Sequence, residues 1–145
     1  MSITAVKPSL TLKRRLRALP AQVYSAWTEP EKVKRWFGPG GAQVMLAEFD
    51  TRKGGRYRIV AKSPDGDEHD VSGVFREVIP GEKLVYTWAW RSTPERESLV
   101  TVEFRREGSG TLLTLRHEEF FDEPARDRHN AGWSGVLDKL EAYLA

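Results

Sequence analysis

Residues 122–145 constrain this chain more than any other stretch. Trp133, Val136, Leu137, Leu140 and Leu144 recur at i, i+3, i+4, i+7 and i+11, one apolar stripe on a 3.6-residue period. What precedes them reads as about seven short strands. A lone helix at the end of an antiparallel sheet must bury its stripe against the sheet's inner face. If the sheet curves around that helix, the space left over is a pocket, and a pocket suits a small-molecule binder.

The first strand is expected over 10–17. Pro20 opens a short helix carrying Val23 and Trp27 on one side, a first-turn position that suits proline. Thr28-Glu29-Pro30-Glu31 matches a capping box for a second short helix through Val33 and Trp36, which Gly38-Pro39 should end. Further strands are expected over 43–50, 56–62, 67–78, 83–91, 98–106 and 111–118. Turn residues separate them, as in Ser63-Pro64-Asp65-Gly66 and Gly108-Ser109-Gly110. This spacing suits a meander of hairpins. The fold class is therefore α+β, one domain over 1–145 with residues 1–8 a flexible N-terminus.

Alternation says which strand residues face the helix. Tyr57, Ile59 and Ala61 form one inward set, and His69, Val71, Gly73 and Phe75 another. Leu84, Tyr86, Trp88 and Trp90 follow, then Val100, Val102 and Phe104, then Leu113, Leu115 and His117. Alternate positions such as Arg56, Arg58, Glu103 and Arg116 are polar, as on a face in water. The inward set is rich in aromatics, stiff side chains that leave gaps for a planar guest.

Composition narrows the function classes. Hydrophobic residues at 39% and charged residues at 30% describe an ordinary globular chain, and the absence of cysteine excludes disulfides and thiolate chemistry. No apolar run reaches the roughly 20 residues of a membrane span, and the N-terminus has no signal-peptide core. Cytoplasm is the expected compartment. Residues 1–40 hold eight Lys/Arg against two Glu. Lys13, Arg15 and Arg17 alternate along the first strand as a solvated face does, and no nucleic-acid motif accompanies them.

A family resemblance then becomes usable. The order Arg14, Pro20, Val23, Ala26-Trp27-Thr28, Pro30 and Trp36-Phe37-Gly38-Pro39 resembles the opening of the helix-grip superfamily of START-like and birch-pollen-allergen-like proteins. More narrowly it is similar to homologues of the heat-shock protein 90 ATPase activator. Glu48-Phe49-Asp50, Gly54-Gly55-Arg56-Tyr57, Leu84-Val85-Tyr86-Thr87-Trp88, His117-Glu118 and Gly132-Trp133 continue it. The resemblance implies a curved seven-stranded antiparallel sheet gripping the C-terminal helix, with two short helices between strands one and two. It says little of activity, because this fold hosts carriers, cyclases and chaperone activators alike.

Candidate cavity-lining residues are Trp36, Tyr57, Ile59, His69, Val71, Phe75, Tyr86, Trp88, Trp90, Val102, Phe104, Leu115, His117, His129, Trp133 and Val136. Arg14 is turned inward by its alternation with Leu12 and Leu16, and Glu48, Asp50 and Glu118 are its candidate partners. Arg14 and Glu48 are the candidate polar anchors. Gly132 beside the stripe permits either close approach to the sheet, the favoured expectation, or room for a ligand. No metal-ligand spacing, catalytic set or cofactor motif appears. The expected function is binding of an aromatic or lipid-like small molecule. Alternatives are a cyclase or aromatase, using an inward histidine as base, and a chaperone-associated or stress-related interaction protein. Monomer and homodimer remain open.

Overall fold

The computed structural model describes residues 7–38 and 41–145. In chain order its elements are β1 (Leu10–Leu16), α1 (Pro20–Thr28), α2 (Pro30–Trp36), β2 (Gln43–Phe49) and β3 (Arg56–Lys62). They continue with β4 (Glu68–Ile79), β5 (Lys83–Trp90), β6 (Ser98–Glu107), β7 (Gly110–Glu118) and α3 (Glu123–Tyr143). The strands form a curved antiparallel sheet in the order β1-β7-β6-β5-β4-β3-β2. Strands two to seven are a run of hairpins, and β1 returns to pair with β7. This is the α+β helix-grip arrangement expected from the sequence. Most of the expected N-terminal extension, residues 1–6, and Pro39 of the expected helix stop lie outside the described residues.

Local chemistry explains the termini. Asp122 caps α3 by accepting from the Ala125 N–H at 2.8 Å, and Gln22 Oε1 accepts from Leu19 N at 2.9 Å at the start of α1. The expected capping box at Thr28 does not form. Thr28 is the last residue of α1, so its hydroxyl points back along its own helix and donates to the Tyr24 carbonyl at 2.9 Å. Glu29 precedes α2 without a side-chain cap. Gly108-Ser109 joins β6 to β7, and Gly108 takes φ +61°, a conformation side chains resist. Gly73 serves another purpose, since a Cβ there would collide with the Thr87 carbonyl of neighbouring β5.

The core is solid at one end and looser at the other. Leu84, Val100, Val102, Leu113 and Leu115 from the sheet are fully buried, as are Leu137 and Leu140 of α3. α3 lies towards the β1 edge and α2, where Arg14 of β1 reaches Asp138. That lean leaves the helix standing away from β3, β4 and β5. No helix among the described residues is long and apolar enough to cross a membrane.

Candidate functional site

The gap left by the lean of α3 is a hollow of about 340 Å³. Its sheet wall is Ala61 of β3, His69 of β4, and Trp88 and Trp90 of β5. Its helix wall is Arg128, His129, Gly132, Trp133 and Val136, and Phe37 closes the end beside α2. Arg128, His129 and Gly132 retain solvent exposure and mark the mouth; Trp88 and Trp133, each 4% exposed, form the floor. The rings are set at angles that keep them from collapsing together. Trp88 meets Trp90 edge-on at 5.4 Å between centroids and lies tilted to Trp133 at 5.1 Å.

A chain of hydrogen bonds holds this wall. Trp133 Nε1 donates to His117 Nδ1 at 3.0 Å, which leaves the proton of His117 on Nε2. That group donates to Ser98 Oγ at 2.7 Å, and the Ser98 hydroxyl donates to the Trp88 carbonyl at 3.2 Å. Closer to solvent, Trp90 Nε1 donates to His129 Nε2 at 2.9 Å, and His129 Nδ1 donates to the Ala125 carbonyl at 2.7 Å. Burial holds His117 well below the usual histidine range, and the neighbouring His129 pushes the same way. Burial also lowers His129, with the charge of Arg128 adding to it against the opposing Ala125 bond. Both rings are neutral with both nitrogens engaged, so neither has a lone pair free to act as a base.

His69 lies at the rim, its Nε2 within 2.7 Å of Ser63 Oγ. The Trp88 indole N–H is the one buried side-chain polar atom among the described residues without a hydrogen-bond partner. That vacancy is uncommon in a folded core.

The structure gathers His69, Trp88, Trp90, His129, Trp133 and Val136 of the sequence candidates around the hollow. Trp36, Tyr57, Ile59, Phe75 and Tyr86 instead surround a separate void of about 20 Å³, enough for one water, which shares Phe37 and Trp88 with the larger hollow. There Tyr57 donates to the Thr87 carbonyl at 2.5 Å, and Tyr86 accepts from Trp27 Nε1 at 3.2 Å. Val71, Val102, Phe104 and Leu115 lie in the solid core, and His117 lies behind Trp133 rather than on the surface of the hollow.

The two polar anchors are placed elsewhere. Arg14 does turn inward, but its partners are Asp138 at 2.5 Å and Glu141 at 3.6 Å on α3, not Glu48, Asp50 or Glu118. The sheet order explains this: β1 and β2 are opposite edges, and Glu48 is an exposed residue of β2 in register with Arg58. Gly132 also departs from the favoured expectation of close packing. A Cβ built there meets nothing within 4 Å, so the missing side chain leaves space in the hollow. Phe37, Ala61 and Arg128 were not among the expected lining, although Ala61 was expected to face inward. Arg128, Gly132 and Val136 follow one another at i, i+4 and i+8, a ridge legible as a single helical row.

Comparison with known proteins places this geometry among relatives. The family described as Activator of Hsp90 ATPase homolog 1-like protein matches residues 17–145. The human activator of 90 kDa heat shock protein ATPase homolog 1 is 26% identical over 125 residues, covering 86% of this chain and 33% of that protein. The chain thus spans about a third of that relative's length. A crystal structure of a Chromobacterium violaceum protein superposes with a TM-score of 0.86 at 27% identity, covering 94% of this chain and 96% of that one. The AHSA1 protein from Silicibacter pomeroyi gives a TM-score of 0.84 at 31% identity, covering 94% and 97% of the two chains.

Proposed function

The chain belongs to the Activator of Hsp90 ATPase homolog 1-like family, and we propose that within it this domain binds an apolar small molecule in the hollow between α3 and strands β3 to β5. The observation that carries this is the hollow itself. Its walls are mainly indole, phenyl and aliphatic surface with two imidazoles and Arg128 towards solvent, whereas the neighbouring core around Tyr57, Phe75 and Tyr86 leaves only about 20 Å³. Transfer of an apolar guest out of water contributes about 25 cal/mol per Å² buried. At about 340 Å³ the space is near the lower end of the roughly 300–1,000 Å³ of ligand sites. That size favours compact ring systems over long-chain lipids. With His117 and His129 fully hydrogen-bonded, the arrangement supports holding a guest more than transforming one.

The test is a titration of tryptophan emission with one- and two-ring aromatic compounds, in the native protein and in Gly132→Leu, whose side chain fills the mouth. Saturable quenching that Gly132→Leu abolishes supports the proposal. A response that is absent, or equal in the two proteins, contradicts it.

A chaperone-associated role is a second proposal, favoured by the match to the human activator. Capture of a heat-shock protein 90 partner by the purified chain, weakened by salt where charges dock it, is the outcome expected of that role.

A further inference from the structure

We propose that the guest is an aromatic carboxylic acid, its rings between Trp88, Trp133 and Val136 and its carboxylate held at the mouth by Arg128. This rests on the small-molecule function proposed above and adds the chemistry of the ligand. Few side-chain polar groups on the wall are unclaimed. The Arg128 guanidinium is a donor at the mouth with no hydrogen bond or ion pair among the described residues, and no carboxylate lines the hollow. Trp90, Trp133 and His129 have spent their polar atoms on one another or on His117 and Ala125. His69 alone keeps a ring nitrogen open. The guanidinium can only donate, so a guest that meets it brings an acceptor.

The surrounding charges leave Arg128 available. Asp127 pairs with Arg126 at 3.1 Å. Asp70, in the adjoining groove that shares His69 and Trp90, is held by Arg58 at 2.8 Å and Arg91 at 3.6 Å. Glu68 in that groove is in register with Lys62. The three indoles would also suit an ammonium group, which aromatic faces attract. The uncompensated cation at the mouth decides between the two, because it repels an ammonium and offers a carboxylate a planar, forked donor.

Three probes with one body separate these possibilities: naphthoate, naphthylmethanol and naphthylmethylammonium, titrated by tryptophan emission at low salt. The expected order is naphthoate tightest, about fivefold over the alcohol for an ion pair at a wet mouth, and the ammonium weakest. Arg128→Gln should erase the preference for the acid, so that acid and alcohol bind that variant with similar affinity. An ammonium that binds as tightly as the acid overturns the proposal, as does an acid preference that survives Arg128→Gln. Binding of the alcohol without any preference for the acid overturns this proposal alone. Failure of all three probes to bind overturns the proposed pocket function and this inference with it.

Discussion

Trp133 of α3 and His117 of β7 are joined through the core by a 3.0 Å hydrogen bond from indole to imidazole. The bond fixes the tautomer of His117, which then reaches Ser98 and through it the backbone of Trp88. Two facing walls of the hollow are thereby tied to a single buried histidine. The ties act behind the rings, so they set the position of Trp88 and Trp133 without occupying the space between them.

Removing that histidine should be costly. His117→Leu leaves the Trp133 N–H without its acceptor and Ser98 Oγ without its donor, and an orphaned buried polar group costs about 1–3 kcal/mol. Urea unfolding is expected to show a loss in that range. A loss below roughly 0.5 kcal/mol, the size of an ordinary surface change, would mean the chain of bonds is not holding the wall.

Acid should weaken the fold through the same residues. His117 and His129 are both held below their ordinary value of 6.5 when folded, chiefly by burial. The unfolded chain therefore binds more protons than the folded one once the pH drops below that value. Their contribution to stability is full above pH 6.5 and is lost as the pH falls from there towards the lowered folded values. The slope is at most about 1.4 kcal/mol per pH unit for each ring. Asp70, lowered below 3.8 mainly by its bond to Arg58, acts only at more acid pH. Unfolding midpoints measured from about pH 8 to 5 should be flat and then fall, and His117→Leu should flatten the fall. A midpoint that rises on acidification contradicts this account.

The two glycines of α3 offer a paired test. At neither Gly132 nor Gly135 would a Cβ meet an atom within 4 Å beyond its chain neighbours and its own helical backbone. Alanine at either site should stabilise the helix by up to about 1 kcal/mol. Leucine separates them, because Gly132 lines the hollow and Gly135 does not. Gly132→Leu should block binding and Gly135→Leu should leave it intact, by titration calorimetry. Equal effects from both leucines would place the guest elsewhere.

Arg14 should matter to the fold and not to the guest. Its side chain is 24% exposed and its partner Asp138 is 69% exposed, so the pair sits in largely wet surroundings. Arg14→Leu is expected to cost no more than about 1 kcal/mol in thermal or urea unfolding and to leave affinity unchanged. A drop in affinity with unchanged stability would restore Arg14 as an anchor for the ligand.

The face each strand presents was legible because the period of two is strict. Tyr57, Ile59, Trp88 and Leu115 all point inward as their alternation requires. Where along that inner face the protein is solid was not legible. Val102 and Leu115 obey the same alternation as Trp88, yet lie on β6 and β7, in the solid part of the core away from the hollow. The difference comes from the lean of α3 towards β1, a tertiary property that no local pattern encodes. The same lean gives Arg14 its partners on the helix. Arg128 escaped notice for a simpler reason. It precedes the apolar stripe on a turn crowded with charge, where a lining residue looks like a solvated one. Thr28 showed a motif without its geometry, since one further residue of helix turned a cap into a back-bond to Tyr24.

The most direct measurement of the central claim uses the chain's five tryptophans. Their indole N–H signals in a nitrogen-15 correlation spectrum, followed during titration with naphthoate, report on both halves of the core at once. Trp88, Trp90 and Trp133 should shift together and saturate. Trp36, bonded to the Ala26 carbonyl, and Trp27, bonded to Tyr86, should hold their positions. Signals that never saturate, or a response confined to Trp27 and Trp36, would contradict a guest beneath α3.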